Sequence, residues 1–153
     1  MEAESRAVLP SAAIWRRVFA LLYDSLILVA ISMAYGALTL AAWVLVKGPP
    51  QADYNPVLGG VLFQLGWLAS LCMFYFYFWR RNGQTIGMRA WRLKLVGSER
   101  EQASVRSCAI RLLVSPPLIA LFFFAYIWQY FDRDGLCLQD RISGTRVVLL
   151  PKS

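Results

Sequence analysis

Residues 18–24 read VFALLYD, and from Ser25 to Val46 the chain continues SLILVAISMAYGALTLAAWVLV, 22 residues without a charge. A helix crosses a hydrocarbon core of about 30 Å with about 20 mostly apolar residues. Segment 18–46 meets that length with a single charge, Asp24. Two further runs qualify: 57–79, which has no charge, and 112–131, which contains Pro116 and Pro117. A helix of a soluble bundle would carry a charged, strongly polar face at a period of 3.6, and these segments carry no such face. The composition agrees. Of 153 residues, 58% are hydrophobic and 16% charged, against about 25% charged in ordinary globular chains, and so small a domain has too little interior to hide that apolar share. The expected fold is an all-α membrane protein, a small transmembrane helical bundle of about three hydrophobic segments.

The same composition excludes several chemistries. With no histidine, His-based triads, His-ligated metals and imidazole switches drop out. Cys72, Cys108 and Cys137 are odd in number, far apart and without a CxxC, so they indicate neither a disulfide framework nor a zinc ribbon. No metal or cofactor is expected. The acidic start, Met1-Glu2-Ala3-Glu4-Ser5, and the long apolar run after it read as a retained anchor rather than a signal peptide.

Basic residues orient the segments. Arg6, Arg16 and Arg17 precede or open the first, and loop 80–111 holds Arg80, Arg81, Arg89, Arg92, Lys94, Arg100, Arg106 and Arg111. The connection Lys47–Pro56 holds one Lys and one Asp. The positive-inside rule then puts the N-terminal segment 1–13 and the 80–111 loop in the cytoplasm and Lys47–Pro56 outside. The net charge of +7 is accounted for by that topology, the partner being the lipid bilayer rather than nucleic acid. Phe74 to Trp79, running into Arg80-Arg81, reads as an interfacial aromatic belt, with Trp43, Tyr126, Trp128 and Tyr130 near other segment ends.

Asp24 is a functional candidate because a carboxylate at bilayer depth costs about 2.5–3.5 kcal/mol. It is read either as a structural anchor near the headgroups or as a protonatable group on an ion or substrate path. Ser32, Tyr35 and Thr39 extend a polar stripe that should face protein or water. In the second segment Gly59, Gly66 and Ser70 form a narrow small-residue face suited to close helix packing.

In the loop, Asn82-Gly83 signals a turn and Thr85 suits a helix cap. Residues 91–95 alternate apolar and basic, and the strand-like Thr145–Leu150 of the tail (132–153) can pair with Trp91–Val96 if both lie on one side. The Pro116-Pro117 pair is expected to break or kink the helix at that point. Either residues 112–131 cross the membrane, or 104–131 form a broken element that returns the tail to the loop side. The second alternative is preferred.

The stretch WRRVFALLYD, Trp15 to Asp24, resembles the opening of the RDD family of small bacterial membrane proteins, named for one arginine and two aspartates. Arg17 and Asp24 match the first two. Gly83-Gln84-Thr85-Ile86-Gly87 resembles the family's Gly-Gln-Thr-x-Gly element, and Asp140 through Gly144-Thr145 its closing Asp-x-x-x-Gly-Thr, while Arg111 resembles the arginine heading its last helix. Gln139 stands where the family often has histidine, so a proton-relay role suggested for that histidine does not carry over. The resemblance implies a membrane domain over 14–150, in a bacterial inner membrane, and the positive-inside rule gives it a cytoplasmic N-terminus. It implies a function linked to transport, with Arg17, Asp24, Arg111 and Asp140 as one charge cluster. Three helices are few to enclose a path, so transport would require a homo-oligomer or a larger membrane partner. The alternative is an accessory or assembly subunit in which the same charges are structural. An enzyme is not expected, because nothing positions a nucleophile or metal.

Overall fold

The computed structural model describes residues 11–49, 60–97, 102–120, 127–133 and 135–151. Expectations for the N-terminal ten residues, most of the Lys47–Pro56 connection, Gly59 and Tyr126 lie outside them. Among the described residues five helices and two strands succeed one another: α1 (Ile14–Lys47), α2 (Val61–Arg81), α3 (Ile86–Ala90), β1 (Leu93–Gly97), α4 (Val105–Ala120), α5 (Leu138–Ser143) and β2 (Thr145–Leu149), with a 3-10 turn at Trp128–Tyr130 before α5. The chain divides into two compact units, Ser25–Tyr75 and Met1–Asp24 with Phe76–Ser153.

Unit Ser25–Tyr75 holds most of α1 and α2. The polar stripe of α1 faces α2, as polar groups in an apolar medium must. The Trp67 indole donates to Ser32 Oγ (2.9 Å) and the Tyr35 hydroxyl to the Phe63 carbonyl (3.0 Å). Ser32 and Thr39 donate back into their own helix, to the Leu28 and Tyr35 carbonyls. Gly66 makes room for this contact, since a Cβ there would stand 2.3 Å from Tyr35 Oη. The expected packing at Gly66 is therefore a side chain seated on a glycine. Ser70 bonds to Trp67 of its own helix. Leu26, Met33, Leu38, Leu45 and Leu62 point outward and are exposed, the surface a hydrocarbon medium would cover. At 1.5 Å per residue α1 is about 51 Å long and α2 about 31 Å, and among the described residues these two helices are long and apolar enough to cross a membrane.

The third expected segment is described at its two ends, residues 112–120 in helix α4 and 127–131 around the 3-10 turn. Helix α4 starts upstream of Leu112, carries Arg106 and Arg111, and runs through Pro116 and Pro117 without ending. Proline's fixed φ of about −65° is itself helical, so each costs a backbone hydrogen bond and not the helix. Residues 121–126 lie outside the described set.

In the second unit β1 and β2 pair antiparallel, Leu93 opposite Leu149 and Leu95 opposite Val147. Leu93, Leu95 and Val147 are buried and Lys94 and Arg146 are not, the period-2 pattern of a half-buried ribbon. Ser11 adds a bridge to Val148, and the Ala12 N–H donates to the Val147 carbonyl. The tail therefore lies with the basic loop and the entry to α1, as the preferred alternative requires.

Candidate functional site

Two carboxylates organise the second unit, and both are buried. Asp140 is the third residue of α5, whose C-cap Gly144 is left-handed at φ 61. That glycine turns the chain so that Thr145 opens β2. Into the corner come two arginines from distant helices. Arg17 Nη1 donates to Asp140 Oδ2 (2.5 Å) and Arg111 Nη1 to Oδ1 (2.6 Å), while Arg111 also reaches Thr145 Oγ1 (2.7 Å). Arg17 further binds the Ala12 carbonyl through Nε and the Val147 carbonyl through Nη2, so one guanidinium ties the entry of α1, the tail helix and the sheet. Asp140 is 0% exposed. Burial pushes its carboxyl up, but Arg111 and Arg17 together outweigh that and hold it below the usual carboxylate range. Cys137, at the start of α5, is also fully buried, and burial pushes its thiol up to about 11.

Asp24 has a different setting. It lies seven residues after Arg17, about two turns along α1, yet its bonds go elsewhere. Thr85 donates its hydroxyl to Asp24 Oδ2 (2.5 Å), and the Gly87 N–H donates to Oδ1 (2.8 Å). Thr85 is the N-cap of α3, its Oγ1 accepting from the Met88 N–H (3.2 Å). The carboxylate thus meets backbone and hydroxyl donors at the start of a short helix, where negative charge is favoured. Contact of α3 with α1 is close: a Cβ on Gly87 would stand 2.2 Å from the Ala20 carbonyl oxygen.

The expected four-residue charge cluster is therefore divided. Arg17, Arg111 and Asp140 are brought together, whereas Asp24 is held by the Gly83–Gly87 element. The reason is reach: α3 lies directly against α1 at Asp24, so a helix terminus supplies what a distant arginine cannot. Four of the five residues of that element have a physical task. Gly83, at φ 66, forms the turn after α2 and accepts the Leu95 N–H (2.7 Å), Gln84 donates to the Leu93 carbonyl (2.6 Å), and Thr85 and Gly87 hold Asp24.

Three participants were not singled out from sequence. Ser143 Oγ lies 2.7 Å from Thr145 Oγ1 and donates to the Gln139 carbonyl (2.6 Å). Ser11 Oγ accepts from Arg17 Nη2 (3.3 Å). Trp79, assigned above to an interfacial belt, is buried within the chain, with the Arg111 guanidinium 5.6 Å from its ring centroid, a cation–π contact. Its position one residue before Arg80-Arg81 made it look interfacial. Gln139 is buried beside Asp140, its side-chain oxygen without a hydrogen-bond partner among the described residues. No group of three or more Cys, Asp or Glu side chains able to hold a metal occurs among the described residues.

The model of the RDD family matches residues 11–144, a range that contains Arg17, Asp24, the Gly83–Gly87 element, Arg111 and Asp140. No curated protein and no solved structure matches the chain.

Proposed function

Since the chain belongs to the RDD family, a membrane domain family, we propose that it is a non-enzymatic accessory or assembly subunit of a larger membrane complex. In this reading its charged residues form a clasp that holds together a folded cap where α1 begins and α2 ends. The observation that supports it is that every oxygen of both carboxylates is engaged by a donor of the chain itself: two guanidinium groups on Asp140, a hydroxyl and an amide on Asp24. A carboxylate so enclosed is a fixture of the fold, because removing a partner from a buried network costs more than the network contributes. The cap, rich in Lys and Arg, faces the cytoplasm of a bacterial inner membrane by the positive-inside rule, with α1 and α2 crossing.

Mild solubilisation of membranes carrying the full chain, combined with sizing and identification of what co-elutes, tests this reading. Co-elution with a second membrane protein is the expected result. Ion flux by the purified chain alone in vesicles, lost in Asp24→Asn, would overturn it in favour of transport through a homo-oligomer. One observation favours that second reading. The hydrogen-bond partners of Asp24 among the described residues are neutral donors, so its charge is not balanced within those contacts.

A further inference from the structure

Trp15, Phe19 and Tyr23 stand four residues apart on α1, hence on one face, and each ring meets Trp91 in the turn after α3. Centroid distances are 5.6, 5.0 and 6.4 Å. The three α1 rings are 49, 44 and 51% exposed, an open aromatic ridge of the kind that marks an interaction surface. One cation lies against it and two more are its neighbours in the chain. The Arg16 guanidinium carbon lies 4.5 Å from the Trp15 ring centroid, and Arg89 and Arg92 flank Trp91 in the chain. Neither Ile14–Tyr23 nor Asn82–Gly97 contains an acidic residue.

Arg92 supplies an independent observation. Among the described residues it alone, other than glycines, has a positive φ, 56°. It comes directly after Trp91, the C-cap of α3, at the position where helices usually place glycine. Its backbone is held on both sides, the N–H donating to the Arg89 carbonyl (3.1 Å) and the carbonyl accepting the Leu150 N–H (2.8 Å). A glycine would relieve the strain, so an arginine there points to a use for its side chain.

We propose that Trp15, Phe19, Tyr23 and Trp91, with Arg16, Arg89 and Arg92, form a seat for an anionic phospholipid. The rings take the glycerol and upper acyl region, where tryptophan and tyrosine settle in bilayers, and the guanidinium groups take the phosphate. Charge complementarity selects an anionic headgroup over a zwitterionic one, by about fivefold for each arginine engaged.

Native mass spectrometry of the full chain, titrated with phosphatidylglycerol and with phosphatidylcholine of the same acyl chains, tests the seat. The expected result is tighter retention of phosphatidylglycerol. In Arg92→Gly the preference falls about fivefold while the melting temperature stays the same or rises, because the strain is gone. Arg89→Gln, a change at an exposed side chain, lowers the preference similarly without affecting folding. Equal retention of both lipids by the unsubstituted chain overturns the proposal, as does an unchanged preference in both variants. Binding of an acidic peptide at this ridge, in place of a lipid preference, would equally overturn it.

Discussion

Asp140 and Asp24 belong to one unit and are both withdrawn from solvent, yet they are satisfied by opposite means. Asp140 has charge for charge, with one guanidinium on each oxygen. Asp24 has shape and hydrogen bonds: a threonine hydroxyl, a glycine amide and a close helix contact. The first site fails when charge is unbalanced. The second fails when the fit is lost. Substitutions that separate these two causes test the contrast.

The largest effect is expected at the charge-balanced site. Asp140→Ala leaves two guanidinium groups facing each other and should destabilise the protein by about 3–5 kcal/mol, read as lost folded protein in membranes and a lowered melting temperature in detergent. Replacing Arg17 and Arg111 by Met together with Asp140→Leu should recover most of that loss, since apolar substitutes for a whole buried network are often neutral. If the triple variant is as depleted as the single one, charge balance is not the cause.

At the fitted site Gly87→Ala should cost about 1–3 kcal/mol by pushing α3 away from α1, with no dependence on charge. Asp24→Asn should cost about as much, because an amide cannot accept from both donors with both of its atoms. Thermal melting of the two variants and of the double variant sharpens the comparison: their effects should be less than additive, as expected for residues in contact.

Acid separates the sites further. The Asp140 carboxyl is held below its usual range, so the unfolded chain binds that proton more readily than the folded one. Its contribution is then complete above the unfolded value of about 3.9 and is lost as pH falls through the lower folded value. The melting temperature should drop below about pH 4, and Asp140→Asn should remove that part of the profile. Smallest of all, Gly66→Ala in the other unit should displace the Tyr35 hydroxyl from Phe63 and cost about 1 kcal/mol, measured the same way.

Much of this architecture can be read from sequence because its causes are local or periodic. Apolar length predicts α1 and α2, alternation predicts the β1–β2 pair, and Thr85 announces a cap. Arg17, Arg111 and Asp140 come together as the family resemblance implies. The partners of Asp24 were hidden for a physical reason. Thr85 and Gly87 lie 61 and 63 residues away, and a backbone amide has no side chain to mark it as a ligand. The proline pair does not break α4, because a helix tolerates lost backbone bonds when φ already suits it. Trp79 misled because adjacency to arginines says nothing of which side of the ring a cation from another helix will occupy.

The clasp on Asp140 has a consequence in time. Arg17 and Asp140 are 123 residues apart, so the first helix is made long before its counter-ion exists. At about 5–20 residues per second the ribosome leaves that guanidinium waiting roughly 6–25 s. Closure can occur only after Asp140 has been synthesised, which makes the joint a built-in check that the polypeptide has been made through α5.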